Sequence, residues 1–415
     1  VSATDLTVAG TVVNVSMTGA AGTITNAVTF SNTGTLTLGQ GVGTLTYSGG
    51  VTATAPSSKA VAGTISAAGT GVIDFGTSAT SVTADATLGG TSTGQITLAG
   101  TTLADGVTLT LGAGAATPVT TGAIDNTTTA NSSSLTINTT AGVTIGGNVG
   151  ATQALDVVTV TQSNGTTFSG TVDAATVTMS DTAAGQTIAF QGNLTATTGM
   201  SSAATANNYN VSVTGGTNTI AGATTLSNGG TVTLGDGGDT VEFTGGADAT
   251  ATGSVALNGT VESAGAGLAL GDGDTAITLG GNSTIDATNA GGSAGGGNID
   301  AGAITGAGNT LDLNAGTGGV ITVSGAVDNV TTLTIAQSNG ASFTGTVGAG
   351  TAGALSVTDT QAGQTVSFAN AVDFTSVTTG ATAYNLSFTG ATTNVAAATT
   401  FANTGAVALG DGAGD

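Results

Sequence analysis

Along much of the chain an apolar residue alternates with Thr or Ser. TLTLG (35–39), TLTYSGG (44–50), VTLTLG (107–112), LTINT (135–139), VVTVTQ (157–162), ITVSG (321–325) and TLTIAQ (332–337) all keep this period of two. A period of two is the signature of a strand with one face buried and one face wet. Thr and Val also favour extended backbone. The runs are four to seven residues long and are separated by SNG, SNTG, GDG and GG. Such turns supply the positive-φ positions that reverse or bend a strand. No segment combines a helical period with caps.

The strands recur in a long repeat. QSNGTTFSGTV (162–172) returns as QSNGASFTGTV (337–347), identical at 8 of 11 positions. SDTAAGQTIAF (180–190) pairs with TDTQAGQTVSF (358–368), and YNVSVTG (209–215) with YNLSFTG (384–390). A third copy opens the chain: FSNTGTLTLGQG (30–41), LSNGGTVTLGDG (226–237) and FANTGAVALGDG (401–412) are one motif. The organisation expected is a partial repeat over 1–50 that continues into 51–209, with a length of about 196; a second repeat over 210–384, of about 175; and a truncated third over 385–415. Both ends fall inside a repeat, which predicts further copies on either side.

Two architectures suit short strands in long repeats: a parallel β-solenoid, or tandem β-sandwich domains. The two repeat lengths differ by about 21. A solenoid absorbs that difference as one more turn, whereas a sandwich must store it in a loop. The added stretch, between Val51 and Asn164, reads as strand. Aromatic residues make up only 3% of the chain, which suits a narrow core of Ala, Val, Ile and Leu better than a sandwich core. The fold expected is therefore all-β, a parallel β-solenoid of short strands with Gly/Asn turns. At about 20 residues per turn and about 4.8 Å between turns, the chain would form on the order of 20 turns and a rod of roughly 100 Å.

Composition then removes whole classes of function. The chain has no His, Cys or Trp, one Lys+Arg residue (Lys59) and a net charge of −22. Zinc sites, cysteine nucleophiles, haem and Ser-His-Asp chemistry lose their usual residues. Nucleic acid is excluded as a partner, because almost nothing can neutralise phosphate. Charged residues are 6% of the chain, against about 25% in an ordinary soluble domain. In a stack of turns, like charges would lie directly over one another and repel, whereas Thr and Asn can form hydrogen-bonded ladders. No apolar run reaches the roughly 18 residues of a membrane helix. Enzymatic activity is not expected.

GTLTLGQGVGTLTYSGG (34–50) and ALGDGDTAITLGGNSTI (269–285) carry the style of a known group. The chain resembles the β-strand-repeat surface proteins of bacteria: autotransporter passengers, filamentous-haemagglutinin-like proteins and giant repetitive adhesins. The resemblance implies a secreted, cell-surface structural segment whose partners are further copies of itself, the cell surface or the extracellular matrix. The alternative it leaves is an extracellular binding module contacting glycan, mineral or ice through a Thr/Asn face.

Four sets of residues are candidates for chemistry. The acidic turns LGDGGDT (234–240), LGDGDT (270–275) and LGDGAGD (409–415) resemble calcium-binding nonapeptides, which makes Asp236, Asp239, Asp272, Asp274, Asp411 and Asp415 the candidate calcium ligands. Gln40 takes the acidic position in the first copy. Thr pairs such as Thr35/Thr37, Thr44/Thr46 and Thr108/Thr110 are the candidate contact residues of a hydroxyl face. Asn126, Asn131, Asn138, Asn193, Asn210, Asn282 and Asn385 begin Asn-x-Ser/Thr triplets. Glu242 and Glu262, the only glutamates, would be the carboxylate pair of a glycan-cleaving site.

Overall fold

A computed structural model of the chain describes residues 1–410. Among the described residues the regular elements are all strands, from two to fifteen residues long. The strand pairings are parallel and join each strand to one about a turn later, so the fold is a β-solenoid. The chain divides into two units. One comprises Val1–Thr197 with Thr205–Tyr209, and the other Thr198–Ala204 with the residues from Asn210 onward.

In the first unit three strands make one turn. The strand Thr44–Tyr47 lies on Ala21–Ile24, Val51–Thr52 on Val28–Thr29, and Thr35–Leu38 on Val15–Met17. The register Lys59↔Thr80↔Thr101↔Ile124 marks the same place on four successive turns. The step from Lys59 to Thr80, and again from Thr80 to Thr101, equals the difference between the two repeat lengths, which is thus the length of a turn. Alternation sorts the side chains. Leu45, Ile65, Leu88, Leu111, Ile137, Val160 and Met179 form one unbroken inward column, each at most 4% exposed. Burying each such side chain contributes about 1.5–3 kcal/mol.

The second unit is built the same way, with turns as short as Thr240↔Thr260 and as long as Leu268↔Ile299. Its inward columns include Leu311–Leu333–Leu355–Val377 and Val323–Phe343–Phe368–Phe388. The rings of Phe343, Phe368 and Phe388 stack with centroids 4.8 and 5.1 Å apart, the spacing of neighbouring strands.

The repeated LG dipeptide marks where a strand turns a corner. Gly39, Gly235 and Gly410 occupy the same place in the three copies of the motif and share φ values of 78°, 78° and 79°. A Cβ on Gly39 would lie 1.9 Å from the Ala62 carbonyl oxygen of the next turn, and one on Gly235 2.3 Å from that of Asn258. The motif keeps glycine because the turns approach each other there and the backbone is left-handed.

Candidate functional site

The outward positions of the first unit carry the hydroxyl pattern that the alternation predicts. Thr44, Thr64, Thr87, Thr110, Thr136, Thr159 and Thr178 form one column, each in register with the next. A second column runs Thr97–Thr120–Thr144–Thr167, continuing from Asp74. The candidate pairs do not build one plane. Thr44 and Thr110 share the first column, whereas Thr37 belongs to another, with Ser16 and Ala60. Thr46 and Thr108 fall on opposite sides of the first column, because Thr44 aligns with Thr110 and not with Thr108.

The acidic turns sit at corners and are occupied by local hydrogen bonds. The Asp236 amide donates to Asp239 Oδ2 at 2.7 Å. A separate side-chain hydrogen bond with Asp239, and then that residue's charge, push the Asp236 carboxyl above the usual carboxylate range. Asp272 Oδ1 accepts the amides of Asp274 and Thr275 at 2.9 and 3.0 Å, and these hold its carboxyl below that range. Asp272 and Asp274 are exposed. Asp411 and Asp415 lie outside the described residues. Among the described residues no group of three acidic side chains is placed to hold a metal. Of the sequons, Asn126 is only 4% exposed and its Nδ2 donates to the Ala154 carbonyl at 2.6 Å. Asn131 stands in the open with φ 57°.

The two glutamates are register partners. Thr219, Glu242, Glu262, Asp286 and Asn314 form one column, so three carboxylates lie on successive turns. This is the stacking of like charge that the other register pairs among the described residues avoid. The residues after Asp286 fold back over it: the Thr288 amide and Oγ1 donate to Asp286 Oδ1 at 2.7 and 2.6 Å. Asn289 Nδ2 donates to Glu242 Oε1 at 3.4 Å. Burial, then the charges of Glu242 and Asp286, push the Glu262 carboxyl up. The step from Glu242 to Glu262 is shorter than that from Glu262 to Asp286, which hides this column from a search for fixed periods.

Other polar residues with structural work went unseen in the sequence. Lys59 points inward, 2% exposed, in register between Leu36 and Thr80. Its amine donates to Ser78 Oγ, which in turn donates to the Pro56 carbonyl at 2.7 Å. Burial lowers its pKa, opposed by the charge of Asp74. Asp105 accepts the hydroxyls of Thr128 and Thr129 at 2.6 Å each and the Thr129 amide at 3.0 Å, so its carboxyl lies far below the usual range. Asn32 and Asn403, equivalent positions of the motif, are buried, and their amides donate to the Val13 and Tyr384 carbonyls at 3.1 Å. In the sequence, the Asn-Thr-Gly that both copies share carries no sign of this inward role.

No family model, no curated protein and no solved structure matches the chain.

Proposed function

We propose that this chain is a structural repeat segment of a secreted cell-surface filament, sheath, surface layer or giant adhesin. The observation that carries the reading is the closed stacking within each unit. Backbone groups are spent on the neighbouring turns, the core columns are apolar, and the outward columns are mostly neutral hydroxyls. Such a surface, in a chain of net charge −22, gives anionic macromolecules little to hold. A single buried lysine and no arginine leave trypsin-like proteases nothing to cut in the folded state. Length is added by whole turns without a new core, as a spacer requires. Further copies of the chain, the cell surface or the surrounding matrix are the partners on this reading, and the surface of the cell is its place.

Negative-stain microscopy of the native material tests it. Continuous filaments or a surface coat labelled by an antibody to this chain are expected. A dispersed soluble particle with no surface labelling would overturn the proposal. Prolonged digestion with a broad-specificity protease should leave the folded chain intact while degrading the same chain after denaturation.

A further inference from the structure

The Thr column of the first unit does not lie open along its whole length. Where it passes the corner Gly41–Val42–Gly43 it forms the floor of an open groove of about 490 Å³. Thr64, Thr87 and Thr110 give the floor three hydroxyls on successive turns, about 4.8 Å apart. Thr108, two residues before Thr110 on the same strand, adds a fourth. These hydroxyls donate to and accept from no other described protein group, so their hydrogen-bonding capacity faces the groove. Val42, 80% exposed, stands at the tip of its corner, two residues before Thr44 of the column. Asp85, two residues before Thr87, lies on the same side of the column two turns further on, and its Oδ1 accepts the Thr108 amide at 2.8 Å, which holds it in place at the rim. Gly41, Gly43, Gly63 and Ala86 keep the lining free of long side chains.

We infer that this groove binds a segment of neutral glycan, laid along the stacking axis. The chemistry selects the class. The groove holds a carboxylate and no cation, in a chain of net charge −22, which disfavours sulfated, phosphorylated and uronic-acid polymers. Hydroxyls both donate and accept, and a fixed carboxylate takes hydrogen bonds from neighbouring sugar hydroxyls as a charge-assisted acceptor. Val42 offers an apolar surface to the C–H face of a ring. The spacing of the floor hydroxyls is close to one sugar ring along an extended chain. An ordered water lattice is the wrong occupant, because it needs an open plane and the Val42 corner and Asp85 stand along one side of this one. A peptide strand is also wrong, because the floor strands are already paired on both sides. The site is independent of whether the chain is a filament.

The test is isothermal titration of the whole chain with cello-, malto- and chito-hexaose, with oligogalacturonate as the anionic probe. Binding to at least one neutral hexamer and none to the anionic one is expected. Thr87→Val and Thr110→Val, which keep the branched shape and remove one hydroxyl, should each weaken it about fivefold, the worth of one hydrogen bond. Val42→Asp, at an exposed tip where folding is not at stake, should weaken it at least as much. Thr144→Val, in a different outward column, should leave it unchanged, and equal melting temperatures would establish that all variants are folded. Failure of all three neutral hexamers to bind at millimolar concentration would overturn the inference. So would equal binding of the anionic probe, or insensitivity to all three groove variants.

Discussion

Two glycines with the same backbone angle separate the cost of a left-handed residue from the cost of crowding two turns. Gly39 has φ 78° and Gly106 φ 79°. A methyl group on Gly106 would meet nothing within 4 Å, whereas one on Gly39 would sit 1.9 Å from the Ala62 carbonyl oxygen. For Gly106→Ala only the left-handed conformation counts, about 1–2 kcal/mol. The lost freedom of the unfolded chain offsets about 0.4–1 kcal/mol of it, so the net loss is about 1 kcal/mol. Gly39→Ala carries the same term. In addition the corner must move outward by more than about 1 Å to clear the oxygen, judged from ordinary contact distances. That movement breaks the Gly39 amide bond to the Met17 carbonyl, 2.8 Å long, and loosens the adjacent ladder. Two or three hydrogen bonds at about 1 kcal/mol each bring the total to about 3–4 kcal/mol. Urea unfolding followed by far-ultraviolet circular dichroism gives both numbers. Losses equal to within about 0.5 kcal/mol, a fraction of one hydrogen bond, would refute the claim that turn-to-turn approach fixes glycine in the LG motif.

Lys59→Met keeps the length of the side chain and removes a desolvated amine, so it should stabilise the first unit by about 1–3 kcal/mol in thermal melts. Because burial lowers the Lys59 pKa, the unfolded chain binds the extra proton. The natural protein should therefore gain stability as pH rises toward the ordinary lysine value, and the Met variant should show no such gain. Asp105 has the same slope in a lower pH window: hydrogen bonds from Thr128 and Thr129 hold its carboxyl below the ordinary range, so its contribution is complete above that range and fades as pH falls through its folded value. Asp105→Asn should accelerate amide hydrogen exchange at Thr128 and Thr129 near neutral pH, and unchanged exchange would count against the role assigned to it. Asp239→Asn should return the Asp236 carboxyl toward its ordinary value, followed by carboxyl-carbon NMR titration. Phe368→Ala removes the middle ring of the Phe343–Phe368–Phe388 stack and should cost about 3–5 kcal/mol in urea unfolding of the second unit.

How far the fold could be read in advance depends on the scale of the feature. TLTLG shows its inward and outward faces directly, because alternation needs only neighbours in sequence. Thr35–Leu38 duly buries Leu36 and Leu38 and leaves Thr35 out. The solenoid followed from a difference of one turn between two repeat lengths. The three-strand turn was not legible, because strands such as Ser58–Ala67 run through a corner without a break in the sequence pattern. Nor were the columns, since turns as unequal as Thr240↔Thr260 and Leu268↔Ile299 place partners at no constant spacing. That is why Glu242 and Glu262 read only as a candidate carboxylate pair with Asp286 unseen beside them, and why the groove at Thr64, Thr87 and Thr110 was invisible beside ordinary Thr pairs. Lys59 stood out in the sequence only as the single basic residue, because nothing local announces that its strand turns that side chain inward.

The longest turn has a practical use. Between Asp286 and Ile299 the chain leaves the three-strand cross-section, forms a glycine-rich excursion, and rejoins the ladder with the apolar columns on either side intact. An epitope, a tag or a small binding peptide spliced at Gly291, where an added side chain would meet nothing within 4 Å, would be displayed at a defined height on the second unit. The scaffold beneath would need no redesign.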